Sequence, residues 1–253
     1  MFNNWYKKEK PFLSFAGFGG GAGGTLGAGG SAFVLTNDSD PFDDNSCMYT
    51  YHFNGAASNL GGGTALNGST GEIKASAAKF GSGGFNGTGS SYLSSNSTNL
   101  RPSGDFSINF WYRSSTTGQE NKRVLTVKGS QVTMGWNNWN NRLGLYTGTG
   151  SEPTSVQRRR EIPDATVNDG NWHQITGTVD TGGNNKLYLD GVEWTNTSVN
   201  NAEGRSFNSG SYLAVTNYDS SSTYNSICNI DQIRVFNKVL TASEVSLLNN
   251  ETD

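Results

Sequence analysis

Asp169-Gly170-Asn171-Trp172-His173-Gln174-Ile175-Thr176-Gly177-Thr178-Val179-Asp180, followed by Lys186-Leu187-Tyr188-Leu189-Asp190-Gly191-Val192, reads as two β-strands bounded by tight corners. Aromatic and β-branched residues suit a pleated, half-buried surface. Asp169-Gly170 and Asp190-Gly191 supply the positive-φ geometry that hairpins and sharp corners require. A third run, Ile230-Asp231-Gln232-Ile233-Arg234-Val235-Phe236, leads through Lys238-Val239-Leu240-Thr241 into the one convincing helix. There Thr241-Ala242-Ser243-Glu244 forms a capping box, with Val245, Leu247 and Leu248 as the apolar face that follows it.

Outward from this core, short β-type runs recur between turn signals, as in a sandwich or barrel. Strands are expected at Tyr49–Phe53, Asp105–Arg113, Arg123–Lys128, Val132–Trp136, Arg142–Tyr146, Trp172–Val179, Lys186–Leu189, Ser211–Val215 and Ile227–Phe236. In the second of these, Phe106, Ile108, Phe110 and Tyr112 face one side, the core. Ser107, Asn109, Trp111 and Arg113 face the other, towards solvent or a ligand. Asn86-Gly87 is read as a further turn.

Composition agrees with an all-β chain. Glycine accounts for 34 of the 253 residues and charged residues for 15%, against a usual ~25% charged. Turns are therefore abundant and long charged helices are not, and the length suits one large sandwich plus an appendage. The net charge of -3 provides no strong basic field, which argues against nucleic acid as a partner. No apolar run approaches the ~20 residues of a membrane-spanning helix, so no membrane insertion is expected. Lys7, Lys8 and Lys10 precede only Pro11 to Phe18 before glycines begin, a poor imitation of a signal peptide.

Residues 1–35 form a Gly-rich arm with too few side chains to bury a core of its own. Ordering such a segment costs about 1–2 kcal/mol per residue in backbone entropy, so capture by a partner is expected, the alternative being a linker packed on its own domain. Trp5, Tyr6, Phe12, Phe15 and Phe18 are the anchoring side chains, of the kind that dominates interfaces. Residues 36–47 read as a solvated acidic linker, with Asp38, Asp40, Asp43 and Asp44 around Phe42. An EF-hand calcium loop fails here because Phe42 occupies the fifth position and Asp43 the sixth, where an oxygen ligand and glycine belong. Residues 48–253 make up the sandwich.

Several chemistries lack their residues. Glu120, Glu152, Glu161, Glu193 and Glu203 stand singly, without the paired carboxylates, about 5 Å apart, of a retaining glycosidase. His52 and His173 lack zinc-ligand spacing, and His173 is read as a packed strand residue. No Gly-Lys-Ser or Gly-Lys-Thr follows the glycines, and no Gly-x-Ser-x-Gly elbow occurs. A non-enzymatic protein is expected. Arg158 to Arg160 form a basic run that could hold an anionic glycan or an acidic neighbour, and is more often a solvated loop or a sheet edge guarded by charge. Glycan contact is assigned to Trp136, Asn138, Trp139 and Arg142, because indoles beside amides and a guanidinium suit sugar faces ringed by hydroxyls. The alternatives are that Trp136 ends its strand in the core and that Trp139 covers a turn.

The three stretches containing Trp172-His173, Tyr188-Leu189-Asp190-Gly191 and Ile230 to Phe236, in this order before a C-terminal helix, resemble the laminin-G-like, concanavalin A-like lectin/glucanase superfamily. The resemblance covers about Met48 to Asn250. It implies an all-β jelly-roll sandwich of two antiparallel sheets with a short C-terminal helix, the first and last strands lying side by side. Asn54 then falls near Cys228 to Asp231, and Cys47 about 25 Å away at strand rise, so two separate thiols are expected. Asn54, the carbonyl of Gly55 and Asp231 would meet where related domains hold a structural calcium.

The opening, Asp40-Pro41-Phe42-Asp43-Asp44-Asn45-Ser46-Cys47 with Tyr51-His52-Phe53-Asn54-Gly55, then Lys79-Phe80-Gly81, Phe85-Asn86-Gly87 and Ser91-Tyr92, resembles virion structural proteins of marine tailed bacteriophages. The arm resembles their N-termini. This implies a capsid decoration or tail appendage at the virion surface, held to other virion proteins through residues 1–35. It would be a homo-oligomer, expected as a trimer, in reach of host-surface or environmental polysaccharide. A secreted, extracellular bacterial lectin-like module and a divergent glycoside hydrolase are the alternatives.

Overall fold

The computed structural model describes residues 39–58, 60, 64–95, 104–127, 132–136, 142–147, 158–195, 213–216 and 224–252. In chain order its elements are β1 (Cys47–Tyr51), β2 (Asn67–Gly68), β3 (Ile73–Lys74), β4 (Gly84–Thr88), β5 (Leu93–Ser95), β6 (Phe106–Arg113), β7 (Arg123–Val127) and β8 (Val132–Trp136). They continue with β9 (Arg142–Thr147), β10 (Arg158–Pro163), α1 (Asp164–Val167), β11 (Trp172–Val179), β12 (Lys186–Leu189), β13 (Val192–Glu193), β14 (Leu213–Val215), β15 (Ile227–Phe236) and α2 (Ala242–Asn249). The arm, residues 1–35, lies outside the described residues. None of the described helices is long and apolar enough to cross a membrane.

Two antiparallel sheets face each other. One runs β13-β12-β11-β6-β15-β4-β3, with β1 also paired to β15; the other runs β10-β9-β8-β7-β14-β5-β2. β1 and β4 share one side of β15: Tyr51 stands opposite Ile233 and Cys47 opposite Phe236, whereas Cys228 stands opposite Gly87. Cys47 and Cys228 are free thiols at opposite ends of this pairing.

The core between the sheets is the alternation made solid. Phe106, Ile108, Phe110 and Tyr112 of β6 meet Leu125, Val132, Met134 and Leu145 from the opposite sheet. Burying a side chain of this class stabilises by roughly 1.5–3 kcal/mol.

The other face of β6 departs from expectation, since the chain itself covers it. The Ser107 hydroxyl donates to the Lys238 carbonyl at 2.8 Å and accepts from the Leu240 N–H at 2.9 Å. Asn109 donates to the Thr176 hydroxyl at 2.7 Å, and Phe80 meets the Trp111 ring edge-on at 5.6 Å. A second apolar cluster, Phe236, Leu240, Val245, Leu248 and Tyr188, seats α2 there, with Phe42 packed against it. Thr241 and Glu244 cap α2 reciprocally. Beneath it Arg234 and Glu251 form a bidentate ion pair, 2.7 Å on each arm, with side chains 0% and 3% exposed. In the described part of the acidic linker Asp43, Asp44 and Asn45 are exposed, while Phe42 lies 5.5 Å from the Phe236 ring and Asp44 pairs with Lys238 at 2.6 Å.

One further reading changes. Asn86-Gly87 is no turn but lies inside β4, where glycine serves close approach: a Cβ on Gly87 would come within 2.9 Å of the carbonyl oxygens of Cys228 and Ser226. Arg158 to Arg160 open the edge strand β10, paired to β9, the sheet-edge alternative.

Candidate ligand cleft

Strand register assembles a polar row across four strands. Arg113, the last residue of β6, stands opposite Trp172 at the start of β11 on one side and Asn229 of β15 on the other. Asn229 in turn stands opposite Asn86 of β4. The Arg113 guanidinium carbon lies 4.8 Å from the Trp172 ring centroid, a stacked cation–π geometry that orients both groups. Its Nη2 donates to the Ser76 carbonyl at 2.7 Å. With the Asn229 amide turned so that its oxygen faces the guanidinium, that oxygen accepts from Nη2 at 2.6 Å and Nε at 3.2 Å, and its nitrogen donates to Asn86 at 3.1 Å. Asn86 donates onward to Glu72 at 2.9 Å. The Lys74 ammonium and Asn86 hold the Glu72 carboxyl below its usual range.

Beside this row opens a cleft of about 230 Å³, lined by Asn86, Gly87, Arg113, Ser114, Ser115, Thr116, Gly170, Ile227, Cys228 and Asn229. Its floor is fixed by hydrogen bonds: Ser114 donates to the Ile227 carbonyl at 2.8 Å, and its oxygen accepts from the Thr116 N–H at 3.0 Å. Among the described residues the lining contains one cation, hydroxyls, amides and the exposed edge of Ile227, and no carboxylate.

The cleft rim is tied to a charged clamp. His173 Nδ1 lies 2.8 Å from Asp190 and Nε2 3.1 Å from Asp169. The bond to Asp190, then the charge of both aspartates, raises the His173 pKa against the opposing effect of partial burial. Two carboxylates on two ring nitrogens fit the imidazolium, which donates at both. Asp169, accepting from the Asn171 N–H and side chain and facing His173, is lowered to about 2. His173 thereby joins the corner carrying Gly170 (φ 89°) to the Asp190-Gly191 hairpin (φ 51° and 80°). It is a structural cation, not merely a packed strand residue.

The sites expected from sequence are not where the cleft lies. Trp136 is 1% exposed within the inter-sheet core and offers no stacking face. Arg142 is half-buried at the start of β9; Asn138 and Trp139 lie outside the described residues, as do Trp5, Tyr6, Phe12, Phe15 and Phe18. Asn54, Gly55 and Asp231 do not make an oxygen cage. Asp231 Oδ2 accepts from the Lys79 and Phe80 N–H groups at 2.8 and 3.1 Å, and Oδ1 from the Gln232 N–H at 2.8 Å. Asn54 Oδ1 instead accepts from the Ser82 N–H at 2.8 Å. Amide hydrogens thus occupy the positions a cation would need, and burial pushes the Asp231 carboxyl up to about 7 despite those donors. The residues do not fit calcium, and no cluster of three or more His, Cys, Asp or Glu suited to a metal occurs among the described residues.

Sequence reasoning missed Arg113, Trp172, Asn229 and Asn86 as one group, although Trp172 stood in the deciding stretch and Arg113 on the face left open to a ligand.

Comparison with curated proteins gives no match. Among solved structures, domain 4 of AbnA, an extracellular arabinanase from Geobacillus stearothermophilus, in complex with arabinotriose, superposes with a TM-score of 0.57 at 19% identity, covering 81% of this chain and 98% of that one. The binding domain of Paraclostridial Mosquitocidal Protein 1 gives 0.59 at 15% identity, covering 81% and 52%. The binding domain of Botulinum Neurotoxin DC in complex with SialylT gives 0.57 at 15%, covering 81% and 51%. The matched region thus spans about half of each toxin domain. At these identities the likeness is one of fold. The Laminin_G_3 profile, described as concanavalin A-like lectin/glucanases superfamily, matches residues 86–246, and with its two-sheet sandwich the chain belongs to that family.

Proposed function

We propose that this chain is a non-enzymatic structural protein of a bacteriophage virion, a capsid decoration or tail appendage that docks through residues 1–35 and presents a lectin-like sandwich to surface glycans. The carrying observation for the glycan half is the cleft in which Arg113, held over the ring of the half-buried Trp172, stands beside Ser115 and Thr116. A guanidinium beside hydroxyls, amides and the exposed edge of Ile227 matches the alternating apolar and hydroxylated surfaces of a sugar. The similarity in fold to a whole domain solved with arabinotriose supports the same reading. The non-enzymatic half rests on the sequence, in which Glu120, Glu152, Glu161, Glu193 and Glu203 stand singly, where glycoside hydrolysis takes a pair.

The virion half rests on the resemblance of residues 40–55 and of the arm to phage structural proteins. Deletion of Met1 to Gly30 tests it: the sandwich should still fold while the protein disappears from purified particles, and retention on particles overturns docking through the arm. A glycan array of the full chain tests the lectin half, with Thr116→Trp, which fills the cleft, expected to abolish any hit. Release of reducing sugar from a polysaccharide would overturn the non-enzymatic reading. A secreted lectin-like module is the second reading, favoured by the likeness to an extracellular arabinanase domain; particles that never contain the protein would select it.

A further inference from the structure

The charge distribution around the cleft narrows the ligand, on the premise that the sandwich binds glycans. Arg113 uses Nη2 and Nε on the carbonyls of Ser76 and Asn229, and among the described residues Nη1 has no partner. The Ser115 and Thr116 side-chain hydroxyls are likewise without partners there. Glu72, the carboxylate nearest along the row, is engaged by Asn86 and Lys74, and Asp169 beside the rim is engaged by Asn171 and His173. Among the described residues the cleft therefore presents a cation and two hydroxyl donors with no carboxylate in its lining. Its volume of about 230 Å³ lies below the ~300–1,000 Å³ of pockets that enclose drug-sized ligands, so it suits one ring with its substituent.

We infer that the cleft takes an acidic sugar residue of a polysaccharide, its anionic oxygens on Arg113 Nη1 and the hydroxyls of Ser115 and Thr116. A guanidinium fixed by stacking and by two carbonyls loses little side-chain freedom when an anion arrives, and charge-assisted hydrogen bonds exceed neutral ones. Carboxylate and sulfate share this chemistry. The Nη1 edge alone does not provide the two-nitrogen fork that would select the planar group.

The test is calorimetric titration of the full chain with three oligosaccharide sets of matched length: uronic-acid, sulfated neutral and unmodified neutral. Binding of either acidic set, at least about tenfold tighter than the neutral set and weakened by salt, is expected, and the preferred acidic set identifies the anionic group. Arg113→Gln should remove this preference. Because Arg113 also ties Ser76 to Asn229, Ser115→Asp is the second variant: it leaves every hydrogen bond above in place and sets a like charge in the cleft. It should lower acidic-glycan affinity about tenfold or more. Equal affinity for neutral and acidic sets, or acidic binding indifferent to Ser115→Asp, overturns this inference while leaving the lectin reading standing. No binding to any of the three, together with an empty glycan array, overturns both.

Discussion

Replacing Glu251 by Ala should be among the most damaging single changes in the sandwich. Arg234 emerges from β15 beneath α2 with no exposed side-chain surface, and both terminal nitrogens end on Glu251 at 2.7 Å. Its Nε has no partner among the described residues, so Glu251 accepts the hydrogen bonds of this cation there, and Asp231 acts on it through charge alone. Removing one partner of a buried pair costs about 3–5 kcal/mol, because the remaining charge keeps its desolvation penalty. That is a large part of the ~5–15 kcal/mol that holds a typical domain folded. With a urea slope of ~3 kcal/mol/M, the upper part of the small-protein range, 4 kcal/mol shifts the unfolding midpoint down by about 1.3 M. Tryptophan fluorescence through a urea series reads that shift. The double replacement Arg234→Met with Glu251→Leu removes both charges from a site already bordered by Phe236, Val245 and Leu248, and should sit within about 1 kcal/mol of the parent or above it. A Glu251→Ala loss below about 1 kcal/mol, or a double variant as weak as the single one, would refute the account of a buried, mutually dependent pair.

Gly87→Ala should cost roughly 1–3 kcal/mol by overpacking, since its Cβ would meet two carbonyl oxygens across β4 and β15; an unchanged thermal midpoint would contradict that pairing. Stability should fall on the alkaline side. His173 has a raised pKa in the fold, so its contribution is complete below its unfolded value and disappears as pH rises through the folded one. Asp231, raised to about 7, binds its proton more tightly folded than unfolded and pulls the same way between its ordinary value and that pH. Melting curves of His173→Gln should lose the first part of this slope and keep the second; a variant with the parent's full pH profile removes the clamp. Calcium added after chelation should leave the melting temperature unchanged, because amide donors surround Asp231; a rise accompanied by binding heat would restore the cation site.

Much of the architecture could be read along the chain because its causes are local. The two-residue period of β6, the Asp190-Gly191 corner and the Thr241/Glu244 cap each follow from neighbours within a few positions, and Trp172–Val179 and Ile227–Phe236 appear as expected. β4 and β10 were harder: glycines in one and arginines in the other carry turn and loop signals locally, and only a partner strand makes them extended. The cleft was harder still. Arg113, Trp172, Asn229 and Asn86 belong to four strands far apart in sequence, and register alone makes them neighbours. The same applies to burial. Alternation shows that Trp111 and Asn109 oppose the core, but whether that face meets water depends on where α2 and the Lys79–Ser82 segment return, which no local pattern encodes. The sequence by itself therefore determined the strands, their inward faces and the family. Only the tertiary structure decided which polar residues meet, because hydrogen-bonded register and covering segments are set by contacts between distant parts of the chain.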